Sequence, residues 1–149
     1  MLRINAASRP AVAPLGDAEL RRRLACGGLH LVAEADDRSV AGYALTFANG
    51  DPYDGEEFRY FNGRMRQHFI YIDQVAADRH RRRAGIGTKL YGALLDHARE
   101  RGIGILCCEV NTSPPNPASL AFHLQLGFSS IGTGTTGDGG TVAFLVRTV

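Results

Sequence analysis

Arg82-Arg83-Ala84-Gly85-Ile86-Gly87 brings two guanidinium groups and two glycines to the start of a run with helical apolar spacing. Such a loop is built to hold an anion. Glycines let backbone N–H groups approach closely, a helix N-terminus supplies partial positive charge, and arginines add full charges. It is not a P-loop, whose Gly-x-x-x-x-Gly-Lys-Ser/Thr spacing is absent. Nor is it a dinucleotide fingerprint, because Leu90 stands where the third glycine would be. Asn116, Ser119 and His123 are spaced i, i+3, i+7, so they line one face of a short and otherwise largely apolar helix. That stripe suits a polar ligand or a wet cleft. It is equally a helix cap, a tolerated serine and a half-buried histidine satisfied by a neighbour. Asp73 interrupts an apolar strand, where an unpaired buried carboxylate costs several kcal/mol. It is either a proton acceptor in a cleft or the ion-pair partner of one of His80, Arg81, Arg82 and Arg83. Tyr71, two residues earlier, points to the same face. Cys107 and Cys108 read as small core residues, since nothing in the sequence activates a thiol there.

The elements that must hold these groups follow from the apolar pattern. Phe69–Ala77 is apolar or β-branched apart from Asp73 and Gln74, as a buried central strand is. Ile86, Leu90, Leu94 and Ala98 recur four apart with Tyr91 and Leu95 beside them, which predicts a long amphipathic helix stopped at Arg101-Gly102. Ile103–Val110 is a second buried strand, parallel to the first because a helix separates them. The prolines of Thr112–Pro117 end it, and Asn116 caps a short helix that Pro117 opens and Gly127 stops near Leu126. Phe128–Ile131 and Thr141–Thr148 read as a closing antiparallel pair around a flexible loop, Gly132–Gly140. Upstream, Asp17 caps a helix to about Cys26 that Gly27-Gly28 stops. Leu29–Ala35 and Val40–Ala48 form a hairpin. Leu2–Asn5 reads as a short strand, followed by an extended connector through Pro10 and Pro14. Asn49–Gln67 has no sustained period but carries Tyr53, Phe58, Tyr60 and Phe61, which either line a substrate pocket or pin the segment to the body. Together these make a mixed α/β single domain over residues 1–149.

Composition bounds the rest. A chain of 149 residues supports one sizeable core, and 44% hydrophobic with 21% charged residues is ordinary for a soluble protein. The net charge of +2 is too small to argue for nucleic acid or a membrane surface. No apolar run approaches the roughly 20 residues of a membrane span, and the N-terminus lacks the apolar core of a signal peptide. Cys26, Cys107 and Cys108 offer neither metal spacing nor an even disulfide framework, so no metal and a cytoplasmic location are expected.

Arg82, Gly85 and Gly87 match Arg/Gln-x-x-Gly-x-Gly/Ala, and Asn116–Phe128 matches Asn-x-x-Ala-x-x-Phe-Tyr-x-x-x-Gly-Phe at Asn116, Phe122, Gly127 and Phe128. On these residues the chain resembles the GNAT superfamily of acyl-CoA-dependent N-acyltransferases over roughly Phe69 to Phe128. Ser119 stands in the alanine position of the second motif and His123 in its tyrosine position. The resemblance implies a central mixed sheet with two splayed parallel strands, flanked by helices. It also implies acetyl-CoA as cosubstrate without a metal, and direct transfer to a primary amine in a ternary complex. The acyl-pantetheine would lie along Val75, Ala76 and Ala77, with a carbonyl-polarising N–H at Val75 or Ala76. The pyrophosphate would meet the backbone of Arg83, Ala84, Gly85, Ile86, Gly87 and Thr88, with Arg82 beside it. Asn116, with Ser119 on the same face, would contact the pantetheine arm. His123 falls at the position of the family's general acid, as acid or as thiol contact only. Asp73 falls where many members carry a basic glutamate, and Glu109, at the end of the second parallel strand, competes for that role. Tyr71, Tyr53 and Tyr60 would line the pocket of a small-molecule or peptide amine. A coenzyme with several phosphates accounts for His80–Arg83 more economically than nucleic acid does. The alternative is a non-catalytic acyl-CoA-binding sensor or regulatory module. Edge pairing through the last strands is a route to a homodimer.

Overall fold

Six strands form one sheet in the order β1-β2-β3-β4-β6-β5. They are β1 (Leu31–Glu34), β2 (Val40–Ala48), β3 (Phe69–Ala77), β4 (Ile105–Ser113), β5 (Ser129–Thr135) and β6 (Thr141–Thr148). The helices are α1 (Leu2–Ala7), α2 (Asp17–Ala25), α3 (Glu56–Asn62), α4 (Ile86–Glu100) and α5 (Pro117–Gln125). The computed structural model describes residues 1–81 and 84–149.

β3 and β4 run parallel, joined by α4 as a crossover. Their pairing covers Phe69 to Tyr71 against Ile105 to Cys107 and goes no further. Beyond that point β3 stays with β2 as far as Gly42 opposite Ala77, while β4 stays with β6 as far as Ser113 opposite Thr141. Each central strand follows a different partner, so a gap opens between them. Within β3 the register slips: Leu45 faces Gln74 and Thr46 faces Ile72, leaving Asp73 as the extra residue of a bulge. The slip turns Asp73 and Gln74 to one face. Asp73 reaches Arg23 and Tyr53, whereas Gln74 joins Asn5 and Tyr43.

The period seen in α4 is the period that packs. Ile86, Leu90, Tyr91, Leu94, Leu95 and Ala98 are buried on one sheet face with Ile70, Ile72, Leu106 and Cys108. The opposite face holds an aromatic cluster of Phe47, Phe58, Phe61, Phe69, Tyr71 and Phe144. Such rings keep edge-on and stacked contacts that fix them more tightly than area alone.

Four expectations need correction. Leu2–Asn5 lies in helix α1, not a strand; Ile4 is buried there, and the Asn5 side chain accepts from the Leu15 N–H and donates to Gln74 Oε1. Asn49–Gln67 is not irregular throughout. Glu56 and Glu57 open α3, Phe58 and Phe61 bury one side of it, and Gly63 closes it. The Gly132–Gly140 loop is shorter than expected, because Gly132–Thr135 continue β5 against Phe144–Thr141. A Cβ at Gly134 would stand 2.7 Å from the Phe144 ring, so glycine there lets the ring lie across the strand. β4 continues past Val110, with Asn111 opposite Val142.

Candidate active site

A cavity of about 760 Å³ occupies the gap between β3 and β4. β3 contributes Ile72 to Val75 and β4 contributes Cys108 to Asn111, while α5 adds Asn116, Ser119 and His123 from one side. α2, α3 and the β5–β6 turn supply Arg22, Arg23, Glu56, Glu57 and Asp138 from the other. The Gly137 N–H donates to Glu56 Oε2 at 3.0 Å, tying the β5–β6 turn to α3 over this second end.

Asp73 carries the densest set of contacts. Its Oδ2 is paired with Arg23 and its Oδ1 accepts from the Tyr53 hydroxyl at 2.6 Å. The Asp73 and Arg23 side chains are 9% and 12% exposed. Arg23 also holds Glu19 at 2.7 Å. Tyr53 is buried and stacked on Phe47 with ring centroids 3.7 Å apart, so its hydroxyl has a fixed origin. Burial pushes the Asp73 carboxyl above the usual carboxylate range, against the pull of Arg23 and Tyr53. Among the described residues the cation paired with Asp73 is Arg23, and neither His80 nor Arg81 takes that place. Arg81 pairs with Asp37 instead, and the His80 N–H donates to Asp78.

Glu109 differs in kind. Its Oε2 accepts from the Tyr71 hydroxyl at 2.8 Å, and no cation pairs with it among the described residues. Burial pushes its carboxyl well up, reinforced by the charges of Glu57 and Asp73. Glu57, half-buried, is pushed the same way by burial first and then by Glu56, Asp73 and Asp138. Tyr71 is itself buried below the cavity wall within the aromatic cluster, so it supports Glu109 from behind.

His123 is buried on α5 and spends both ring nitrogens inside the protein. Nδ1 lies 2.7 Å from the Ser119 carbonyl oxygen, and Nε2 lies 2.5 Å from the Tyr91 hydroxyl. A carbonyl only accepts, so Nδ1 carries the proton and Nε2 accepts from Tyr91. Burial pushes the imidazole pKa down, against the Ser119 hydrogen bond. The Asn116 Oδ1 accepts from the Ser119 N–H at 3.2 Å, which is the cap its spacing implied.

The anion loop is described from Ala84 onward; Arg82 and Arg83 lie outside the described residues. Gly85 takes φ 70°, the left-handed region, directly before α4, and no side chain caps that helix. The first N–H groups of a 15-residue helix are thereby left for another acceptor. Gly87 packs against Phe122, 3.0 Å from where a Cβ would be, and Phe122 packs edge-on against Tyr91.

Of the remaining expected residues, Val75 lines the cavity, while Ala76 packs with Tyr43 and Leu45 on the other face and Ala77 lies at the edge of the α4 core. Tyr53 reaches the site; Tyr60 does not. Tyr60 stacks on Phe144 at 3.6 Å with the Arg64 guanidinium over its other side, which pins α3 to β6. Tyr91, Arg23 and Glu57 are site residues that sequence reasoning passed over. Tyr91 had one available signal, a hydroxyl on a helix face that is otherwise wholly apolar and therefore needs a partner.

The sequence pattern of the acetyltransferase (GNAT) family matches residues 3–128. An L-methionine sulfoximine/L-methionine sulfone acetyltransferase of Pseudomonas paraeruginosa is 31% identical over 104 residues, 68% of this chain and 51% of that protein. The chain thus spans about half the length of that curated relative. Ard1 of Thermoplasma volcanium superposes with a TM-score of 0.78 at 21% identity, covering 100% of this chain and 88% of that one. The protein yncA of Salmonella typhimurium, solved with its cofactor acetyl-CoA, superposes with a TM-score of 0.65 at 23% identity, covering 99% and 84%. At these identities the two structures speak to the fold, and the family pattern to kinship. By the match over residues 3–128, with the parted β3–β4 pair and the uncapped α4 behind the glycine loop, the chain belongs to the GNAT acetyltransferase family.

Proposed function

We propose that the protein is an N-acetyltransferase that moves an acetyl group from acetyl-CoA to a primary amine by direct transfer within a ternary complex. The observation that carries this reading is the parting of β3 and β4 beyond Tyr71 and Cys107 around a lined cavity. From Ile72 onward the β4-facing edge of β3 has no strand partner, so its backbone groups at Val75 are available to a pantetheine amide. An N–H at Val75 or Ala76 polarises the thioester carbonyl. The open Gly85–Thr88 start of α4 receives the pyrophosphate, with Arg82 and Arg83 assigned to it from sequence.

The acceptor enters from the α2–α3 end. Six carboxylates and three guanidinium groups line the cavity, and Arg22 and Arg23 are already held by Glu19, Asp54 and Asp73. That balance favours a cationic amine. Glu109 takes the ammonium proton: burial raises its proton affinity and no cation competes for it among the described residues. Asp73, with both oxygens engaged, holds Arg23 and Tyr53 in place. β5 ends the sheet with Ile131 44% exposed, and pairing through that edge is the homodimer we propose. The three buried free cysteines support a cytoplasmic location.

The test is release of free thiol from acetyl-CoA in the presence of a panel of amines, comparing alkylamines, diamines, amino acids and peptides. Turnover with amines that lack a carboxylate supports the reading. Acetyl-CoA binding without turnover on any of them would favour the sensor alternative.

A further inference from the structure

His123 stands where a proton donor to the departing sulfur was expected, yet its geometry does not let it serve alone. Nδ1–H is committed to the Ser119 carbonyl, and Nε2 faces the Tyr91 hydroxyl at 2.5 Å and has no hydrogen to give. Tyr91 intervenes between the imidazole and any partner approaching along that direction. Its ring is buried at 1% exposure and lines the cavity beside Cys108 and Val75. Edge-on contacts with Phe122, His123 and Phe128 hold the ring at centroid distances of 5.5, 5.4 and 5.8 Å. Gly87 seats Phe122, so the same glycine loop that opens α4 also sets the position of Tyr91 one turn further on.

We infer that Tyr91, not His123, meets the reacting atoms, and that the Tyr91–His123 pair shuttles one proton from the attacking nitrogen to the departing sulfur. The inference rests on the acetyltransferase reading above. Attack of the neutral amine forms the C–N bond and leaves nitrogen with one proton too many. That proton passes to the Tyr91 oxygen while the Tyr91 hydroxyl proton moves to His123 Nε2. When the C–S bond breaks, its electron pair goes to sulfur. Sulfur then takes the Tyr91 proton, and Tyr91 recovers one from His123 Nε2. Nitrogen has lost one proton, sulfur has gained one, and both side chains end as they began. A single hydroxyl can serve both atoms because nitrogen and sulfur sit on the same carbon in the adduct. A bare Nε2 is what such a shuttle requires at its resting stage. In this scheme Tyr91 is the catalytic residue and His123 the proton store behind it.

Two measurements test this, one without turnover. The 15N shifts of His123 in the free protein should report a neutral ring protonated at Nδ1 with Nε2 accepting; a ring protonated at Nε2 overturns the shuttle. Kinetically, Tyr91→Phe keeps the ring and removes the hydroxyl, while His123→Gln can still accept from Tyr91 but cannot hold a proton. Each should lower kcat by about 10²-fold or more, and the double variant should be no worse than the poorer single, because both break one relay. Calorimetric Kd for acetyl-CoA should stay within about threefold of wild type in both. Near-wild-type kcat in Tyr91→Phe, with loss confined to His123→Gln, would mean that His123 meets sulfur directly and would overturn the inference. Additive losses would do the same. If wild type itself releases no thiol with any amine, the acetyltransferase reading has failed first, which the variants alone cannot imitate.

Discussion

Removing the Tyr53 hydroxyl is the perturbation whose cost the structure sets most closely. In Tyr53→Phe the ring keeps its stack on Phe47, 3.7 Å centroid to centroid, so the packing term is nearly unchanged. What disappears is a 2.6 Å hydrogen bond to Asp73, a carboxylate on a side chain only 9% exposed. Hydrogen bonds to charged groups contribute about 1.5–3 kcal/mol, and a buried acceptor left unmet forfeits that in full. A chain of this size loses about 2–4 °C in Tm per kcal/mol, so melting at neutral pH should fall by about 3–12 °C. The sign of the pH dependence follows from which form Tyr53 favours. Its hydroxyl favours the ionised Asp73, opposing the upward push of burial. The variant's deficit should therefore be full above the Asp73 pKa and shrink as acid protonates that carboxyl. Calorimetric melting across pH, with KM for the amine measured in parallel, provides the assay. In an Asp73→Ala background the same substitution should cost almost nothing, because no carboxylate remains to be left unpaired. An unchanged Tm together with a large rise in amine KM would refute the reasoning, since the hydroxyl would then be serving the substrate and not Asp73.

Two further outcomes follow from the site. Glu109→Gln keeps an acceptor for Tyr71 but removes the proposed base, so kcat should fall by about 10²-fold or more. Its folded pKa lies well above 4.5, so the wild-type carboxyl stabilises the fold fully below that value and loses the contribution as pH rises through the folded pKa. Melting curves should accordingly show Glu109→Gln gaining on wild type at about pH 8 and not at about pH 4. Gly85→Ala meets no neighbour within 4 Å but must hold φ 70°, which costs roughly 1–2 kcal/mol. Calorimetry should find weaker acetyl-CoA binding in that variant, because relief of the strain moves the N–H groups proposed to receive the pyrophosphate.

Strands β2, β3 and β6 and the start of α4 were legible in the sequence to the residue, because each is an apolar run or a clean helical period with a sharp end. Helix α1 was not. Six residues give too short a period to tell from a strand, and its order comes from Asn5 bonding to Leu15 and Gln74 far along the chain. α3 hid behind aromatics that read as lining a pocket or pinning a loop to the body, although Glu56-Glu57 and Gly63 marked its ends. In the cavity lining, composition and spacing pointed to Asp73 and the Asn116-Ser119-His123 face, since a polar group in an apolar element must be explained, while Glu109 was named only through the family resemblance. They could not find partners. Arg23 lies 50 residues before Asp73 and reaches it from α2 across the fold, a partner that nearness in sequence, which pointed to His80–Arg83, could not suggest. Tyr91 was counted as core because its ring is core. Its hydroxyl set it apart from Leu90 and Leu94 in the sequence as a group in need of a partner, and only the three-dimensional structure supplies that partner, His123.

The most direct test of the central claim is calorimetric titration of the purified protein with acetyl-CoA, with NADH as a control that shares the adenosine pyrophosphate but lacks the pantetheine thioester. Saturable binding of one acetyl-CoA per chain and none of NADH is expected, with binding lost when the β3–α4 loop is altered. No heat from acetyl-CoA, or equal heat from both ligands, would contradict the claim and return the Gly85–Gly87 turn to an ordinary helix start.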